Sequence, residues 1–116
     1  MSKHIVITPG DGIGKEVTVQ ARKVMEYMAQ RFQLVLEFTE VPIGGTAYDL
    51  TGTPLPDETL HACRAADAIL LGAVGGPQWE ALDYSVRPER ALLGLRGELQ
   101  LYANLRPAQI LSLIHI

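Results

Sequence analysis

The sequence feature that most constrains the fold is an unbroken apolar run over residues 68–74, AILLGAV, which ends at Gly75-Gly76-Pro77. A strand with one face in water alternates apolar and polar residues, whereas an unbroken apolar run indicates a strand that is covered on both faces. Strands of this kind occur mainly in parallel sheets with helices on each side. We therefore predict a parallel strand over residues 68–74.

The segments around this run alternate between strand patterns and helix patterns. Further strands are predicted over residues 4–8, 34–41 and 101–105, and helices over 14–32, 57–66 and 89–98. The stretches 42–56 and 78–88 are predicted as turns and loops. This alternation predicts an α/β fold with a mostly parallel sheet and flanking helices.

Two details of the helices are predicted from residue type and spacing. Asp57 is predicted as the N-cap of the second helix, because an aspartate side chain can accept a hydrogen bond from a free N–H of the first turn. The first helix is predicted to pack through an apolar stripe at helical spacing. The members of this stripe are Val17, Ala21, Val24, Met28 and Phe32.

Two glycine-rich loops follow predicted strands. The glycines of PGDGIG over residues 9–14 open a helix, but the third glycine comes one residue too early for the G-x-G-x-x-G fingerprint, and Asp11 would repel a phosphate. The pattern leaves open whether this loop binds a ligand or is a plain turn. Gly75-Gly76-Pro77 follows the apolar strand, and ligands gather beyond the carboxyl ends of parallel strands. A binding site is expected at this edge of the sheet.

The segment 87–108 carries two arginines in apolar surroundings: Arg96 in a predicted helix and Arg106 at the end of a predicted strand. A guanidinium presents a fork of donors that matches the two oxygens of a carboxylate. Two such groups beside an apolar wall suit a substrate with two carboxylates and a hydrocarbon branch. Apolar surface comes from Leu92, Leu93, Leu95, Leu99 and Leu101. The alternative that the residues leave open is surface ion pairing, for instance of Arg96 with Glu89 or Glu98.

Composition excludes several classes of function. A chain of 116 residues is at most one domain, and its net charge of -3 argues against nucleic acid as the main partner. No apolar run approaches the length of a membrane span, and the start MSKHIVIT lacks the layout of a secretory signal, so a cytoplasmic location or an organelle interior is expected. The single cysteine and the three scattered histidines show no metal-ligand spacing. Catalytic groups are not recognisable from these residues alone.

The end of the chain differs from the rest. Residues 110–116, ILSLIHI, are apolar and have no cap, turn or polar tail. An end of this kind is not typical of a finished domain boundary. The alternative is a last edge strand.

Three segments resemble a known family: PGDGIGKEV at residues 9–17, AILLGAVGGPQW at 68–79, and RPERALLGLRGELQLYANLRPA at 87–108. They are similar to the N-terminal third of the β-decarboxylating dehydrogenases, and specifically of the 3-isopropylmalate dehydrogenase family. The resemblance covers about residues 3–108 and implies a truncated fragment of such an enzyme. Residues 1–109 would be an incomplete first α/β domain, and residues 110–116 a tail that departs from the family and could be non-native. The resemblance also implies a fold that does not use the Rossmann fingerprint.

The activity implied by this resemblance is the NAD-dependent oxidative decarboxylation of (2R,3S)-3-isopropylmalate to 4-methyl-2-oxopentanoate, a step of leucine biosynthesis. The implied cofactors are NAD and a divalent metal, Mg²⁺ or Mn²⁺, which polarises the oxo group during decarboxylation. By motif position, Arg96 and Arg106 would hold the malate carboxylates, and Leu92 would touch the isopropyl group. Glu89 would lie near the nicotinamide ribose. The loop that contacts NAD would contain Gly76, Pro77, Gln78 and Trp79.

The resemblance also implies which parts of the enzyme lie outside this chain. The catalytic tyrosine and lysine, a third arginine and the metal-binding aspartates would follow residue 116, and the second subunit of a homodimer would complete the site. No catalytic residue or metal ligand is therefore assigned here, and the chain is expected to be inactive alone. Two alternatives remain open: a related dehydrogenase acting on tartrate, malate or homoisocitrate, and a non-catalytic dicarboxylate-binding module. The apolar Leu92-Leu93 pair favours isopropylmalate.

Overall fold

The structure is a computed structural model that describes residues 1–109. The tail expected over residues 110–116 lies outside the described residues. The strands are β1 (Ser2–Gly10), β2 (Val35–Glu40) and β3 (Ala68–Ala73). The helices are α1 (Gly14–Arg31), α2 (Gly44–Thr51), α3 (Asp57–Ala65) and α4 (Pro88–Glu98), and two short 3₁₀ turns span Pro77–Trp79 and Tyr84–Val86.

The three strands form one parallel sheet in the order β2-β1-β3. Strand β1 is central, and it pairs with β2 from Ser2 opposite Val35 and with β3 from Ile5 opposite Ala68. Parallel neighbours need a crossover connection, and α1 provides it between β1 and β2, while α2 and α3 lie between β2 and β3. The prediction of an α/β fold with a parallel sheet and flanking helices is confirmed.

The core lies mainly between the sheet and the helices α2, α3 and α4. Its buried cluster consists of Val6, Ile43, Cys63, Ala91 and Leu95. Side chains alternate along a strand, so Ile5 and Ile7 point to the other face, where α1 packs on β1 and β3. Helices therefore cover both faces of the central strand.

Helix α1 packs through small residues and not through the predicted apolar stripe. Its buried positions are Gly14, Thr18 and Ala29, whereas Val17 and Val24 are 46% and 61% exposed. A Cβ atom on Gly14 would overlap the Pro9 carbonyl oxygen, and one on Gly72 would lie 2.9 Å from Thr18 Cγ2. The helix therefore lies so close to the sheet that large side chains do not fit between them. Met28 and Phe32 are also exposed, so the predicted stripe is wrong apart from the half-buried Ala21.

Three further predictions are corrected by the structure. Residues 101–105 form no strand: they are exposed and without regular structure, and Gln100 with a φ of 51° turns the chain at the end of α4. The stretch 42–56 contains α2, which the glycine-rich sequence did not indicate. Pro56, not Asp57, occupies the N-cap of α3, and Asp57 is its first helical residue.

Candidate functional site

The carboxyl ends of β1 and β3 are joined by one buried carboxylate, that of Asp11, which is 1% exposed. Its Oδ2 accepts hydrogen bonds from the backbone N–H groups of Gly45 and Gly75, both at 2.8 Å, and its Oδ1 accepts from Thr46 N–H at 2.7 Å. A carboxylate is favourable at a helix N-terminus, and here it occupies that of α2. The first glycine loop thus serves internal structure.

The second glycine loop, residues 75–79, packs on α2 through Trp79. The indole ring is 7% exposed, and its Nε1–H donates to Asp49 Oδ1 of α2 at 3.0 Å. The ring also lies against Gly45, where a Cβ atom would overlap it, and only 3.1 Å from the Cβ position of Gly76. Trp79 therefore packs between α2 and the loop, and these contacts bury most of its surface.

The other residues predicted to contact a cofactor lie together around this loop. Gly75 has a φ of +101°, and a Cβ atom there would be 2.7 Å from Glu89 Oε1. Glu89 is in the first turn of α4, so the helix start adjoins the loop. Pro77 and Gln78 are exposed and Gly76 is half-buried. The structure thus gathers Gly76, Gln78 and Glu89 at the carboxyl end of β3.

Helix α4 presents two neighbouring stripes. Pro88, Ala91 and Leu95 are buried and pack into the core. Beside them lie Glu89, Leu92 and Arg96, whose spacing of three and four residues places them on one face over about 10 Å of helix. Leu92 and Arg96 are half-buried and line a groove of about 440 Å³ between α3, β3 and α4. The stripe therefore runs from the Gly75 loop along the side of β3.

The two arginines have different surroundings. Within residues 1–109, Arg96 makes neither of the ion pairs that the sequence left open, since Glu98 pairs with Arg64 instead. Arg106 lies in the exposed segment after α4 and does not line the groove. The structure thus places one arginine of the predicted pair at the groove and leaves the other outside it.

Sequence reasoning missed a second concave surface and the roles of two aspartates. A cleft of about 720 Å³ lies between α1, α2 and the strands β1 and β2, and Lys15, Arg22 and Lys23 contribute its basic side chains. Arg22 there already pairs with Glu26 at 2.8 Å. Asp11 carried a signal, because an aspartate between glycines directly after a strand is poorly placed for phosphate binding. Asp49 carried none.

The described chain offers little further catalytic chemistry. Among residues 1–109, no three His, Cys, Asp or Glu side chains lie close enough together to hold a metal ion. Burial raises the pKa of the Cys63 thiol, which disfavours the reactive thiolate. No helix in this part of the chain has both the length and the apolar character needed to cross a membrane.

Comparison with known proteins gives a consistent set of similarities. The family model described as isocitrate/isopropylmalate dehydrogenase matches residues 4–115. A 3-isopropylmalate dehydrogenase of Methylococcus capsulatus is 60% identical over 108 residues, which are 93% of this chain and 30% of that protein. One of Hahella chejuensis is 58% identical over 108 residues, with the same coverage. The chain thus spans about 30% of the length of these curated relatives.

A solved structure is similar over most of the chain. It is the apo form of a β-decarboxylating dehydrogenase from Thermococcus kodakarensis, with a TM-score of 0.69 and 32% sequence identity. The similarity covers 86% of this chain and 27% of that one. The sheet and helices described above therefore recur as part of a larger enzyme.

Proposed function

This chain belongs to the isocitrate/isopropylmalate dehydrogenase family, and we propose that it supplies part of the substrate and cofactor site of an NAD-dependent 3-isopropylmalate dehydrogenase. The proposed reaction is the oxidative decarboxylation of (2R,3S)-3-isopropylmalate to 4-methyl-2-oxopentanoate in leucine biosynthesis. The names of relatives that are 58% and 60% identical support this substrate. The proposed setting is a cytoplasmic homodimer.

The observation that carries the proposal is the stripe of Glu89, Leu92 and Arg96 on α4. It begins at the Gly75 loop and ends in the groove beside β3. A carboxylate, an apolar side chain and a guanidinium follow one another along it. This order suits a cofactor sugar at the loop, a branched alkyl group at the middle and a substrate carboxylate at the far end.

In the proposal Arg96 binds a carboxylate of isopropylmalate through two parallel N–H donors. Its half-buried position strengthens that interaction, because the groove excludes part of the water that would screen it. Leu92 contacts the isopropyl group and disfavours a third carboxylate there, since a charge against leucine loses hydration without a partner. Arg106 is the second guanidinium of the proposal, and it acts once residues 101–106 lie over the groove.

The loop residues fit a dinucleotide. The positive φ of Gly75 favours glycine there, and the missing Cβ atoms of Gly75 and Gly76 let Glu89 and the indole of Trp79 pack directly against the loop backbone. Glu89 beside them can accept hydrogen bonds from ribose hydroxyl groups, and Pro77 and Gln78 offer exposed contact surface. NAD⁺ supplies the hydride acceptor when bound. A direct contact by Trp79 stays a prediction, and its burial restricts such a contact to the ring edge.

The divalent metal, Mg²⁺ or Mn²⁺, is part of the proposed activity but not of this site. The residues of 1–109 do not bring three metal-ligating side chains together, so we derive no step through it. The general acid and base and the metal ligands are proposed to come from segments outside this chain. The chain alone is therefore proposed to be inactive.

A chimera tests the proposal. The 108-residue stretch that matches the Methylococcus capsulatus enzyme replaces the corresponding stretch of that enzyme. We expect isopropylmalate-dependent formation of NADH by the chimera and none by the 116-residue chain. A folded chimera that oxidises tartrate or malate in preference to isopropylmalate would overturn the substrate assignment. Turnover by the chain alone would overturn the assignment of the catalytic groups to other segments.

A further inference from the structure

We propose that Asp49 is a positioning residue for dinucleotide binding and that it acts through Trp79. The inference rests on the proposed NAD site at the Gly75 loop. Asp49 lies on α2 and does not belong to the loop, and no part of the proposed substrate contacts it. Its side chain accepts the indole N–H of Trp79 at 3.0 Å, across 30 residues of sequence.

The loop of residues 75–79 is held at both of its ends. Asp11 fixes the first residue through the N–H of Gly75 at 2.8 Å, and Asp49 fixes the last through the indole of Trp79. The ring lies directly beneath Gly76, 3.1 Å from the Cβ position of that residue. A displacement of the indole would therefore change the packing beneath the backbone of Gly76, which the proposed function places against the cofactor.

This double attachment matters because the loop contains two glycines. Glycine has the widest backbone freedom of all residues, so a free Gly75-Gly76 segment would lose much conformational entropy on binding a ligand. A loop that is already held in its binding conformation avoids most of that cost, which raises the affinity for the ligand. The hydrogen bond from Trp79 to Asp49 thus contributes to cofactor affinity without contacting the cofactor.

The position of Asp49 argues against a purely structural role. The residue is exposed and lies in the last turn of α2, where a negative charge opposes the helix dipole. Aspartate also has a lower helix propensity than alanine. Replacement by alanine should therefore leave the stability of the fold nearly unchanged while removing the acceptor for Trp79. Asparagine keeps an acceptor oxygen at the same place and serves as the conservative control.

The first test uses the 116-residue chain, in which Trp79 is the single tryptophan and therefore the source of all indole fluorescence. Asp49→Ala should increase the acrylamide quenching constant of Trp79, and Asp49→Asn should leave it at the value of the unmodified chain. The thermal midpoint should not fall in either variant. Equal quenching in all three chains would overturn the proposal, because the loop would then be ordered without Asp49.

The second test uses the chimeric enzyme. Asp49→Ala should raise the KM for NAD⁺ roughly three- to tenfold, as expected when one such hydrogen bond is lost. The kcat and the KM for isopropylmalate should not change. In a Trp79→Phe background, which already lacks the indole N–H, Asp49→Ala should cause no further rise in the KM for NAD⁺. Asp49→Asn should restore the original KM.

The outcomes separate this inference from the proposed function. An unchanged KM for NAD⁺ in Asp49→Ala, with normal turnover, overturns the positioning role and leaves the dehydrogenase assignment standing. A parallel rise of both KM values with a fall in thermal midpoint also overturns it, because that pattern indicates a general loss of structure. A folded chimera that binds no NAD⁺ at all overturns the proposed function itself.

Discussion

Asp11 and Gly75 lie 64 residues apart in the sequence, and a hydrogen bond of 2.8 Å joins the carboxylate of the first to the N–H of the second. The same oxygen accepts from Gly45 N–H, so one atom connects β1, α2 and the loop after β3. The groups that the proposed site uses at this edge therefore depend on a buried side chain that contacts no ligand in the proposal.

Replacing Asp11 should destabilise the chain strongly. Asp11→Ala leaves three backbone N–H groups without their acceptor, one of them buried and two half-buried, and we expect a loss of about 3 kcal/mol in the free energy of unfolding. The loss in free energy of unfolding is measured by urea denaturation. Asp57→Asn is the control, because Asp57 is exposed at the start of α3. This replacement should lower the free energy of unfolding by well under about 1 kcal/mol. A similar loss in both variants would contradict the role assigned to Asp11.

Replacing Arg96 should weaken substrate binding in the chimera. Arg96→Lys keeps the charge but loses the planar pair of donors, so the KM for isopropylmalate should rise roughly tenfold to a hundredfold. Arg90→Lys is the control on the same helix, because Arg90 lies on another face and stacks on Tyr84 at 5.2 Å. Steady-state kinetics compare the two. An equal increase in the KM for isopropylmalate in both variants would contradict a contact between Arg96 and the substrate.

Replacing Leu92 should change the choice of substrate. Leu92→Ser removes apolar surface from the groove, and we expect kcat/KM for isopropylmalate to fall roughly tenfold. Activity with malate, which lacks the isopropyl group, should fall much less and provides an internal control in the same enzyme. A parallel fall with both substrates would indicate a damaged helix and not a lost alkyl contact.

The sheet could be predicted from the sequence because its signals are local. The apolar run at residues 68–74 and the strand-helix alternation indicate β1, β2 and β3 within two residues of their observed ends. Helix α2 could not be predicted, because it begins with Gly44-Gly45 and is held by the carboxylate of Asp11 from 34 residues away. Residues 101–105 have strand propensity, but a strand also needs a neighbour, and in the described chain nothing pairs with them.

The residues of the candidate site also divide into those that the sequence indicates and those that only the folded structure reveals. Residue type singles out Arg96 and the apolar surface at Leu92, and the family resemblance adds Glu89. The structure adds that these three residues share one face of α4 beside the Gly75 loop. Their roles in binding stay predictions. The contribution of Asp49 had no local signal, because it is defined by a contact with Trp79 that only the folded chain creates. The packing face of α1 was misjudged since spacing favours large apolar residues, whereas close helix-sheet contact selects small ones.

Cys63 should react slowly with iodoacetamide in the folded chain. The thiol is 3% exposed, and its burial raises its pKa, so the reactive thiolate is scarce near neutral pH. Mass spectrometry should show little alkylation without urea and one added group per chain after unfolding, because the sequence contains a single cysteine. Rapid alkylation of the folded chain would show that α3 opens away from the core.

The hydrogen bonds between Asp67 and β1 should make the stability of the fold depend on pH in the acidic range. Asp67 accepts from His4 N–H and from Lys3 Nζ, both at 2.9 Å, and these contacts hold the pKa of its carboxyl below the ordinary 3.8, with the backbone bond from His4 as the larger cause. A carboxyl whose folded pKa is lowered stabilises the fold fully above its unfolded pKa and loses that contribution as the pH falls through the folded pKa. The Asp67→Asn variant should therefore have a lower urea midpoint than the original chain at neutral pH. That difference should shrink below pH 3.8. Lys3→Gln should retain most of the acid dependence, because the His4 contact remains. The assignment would be contradicted if the difference in urea midpoint between Asp67→Asn and the original chain stayed constant with pH.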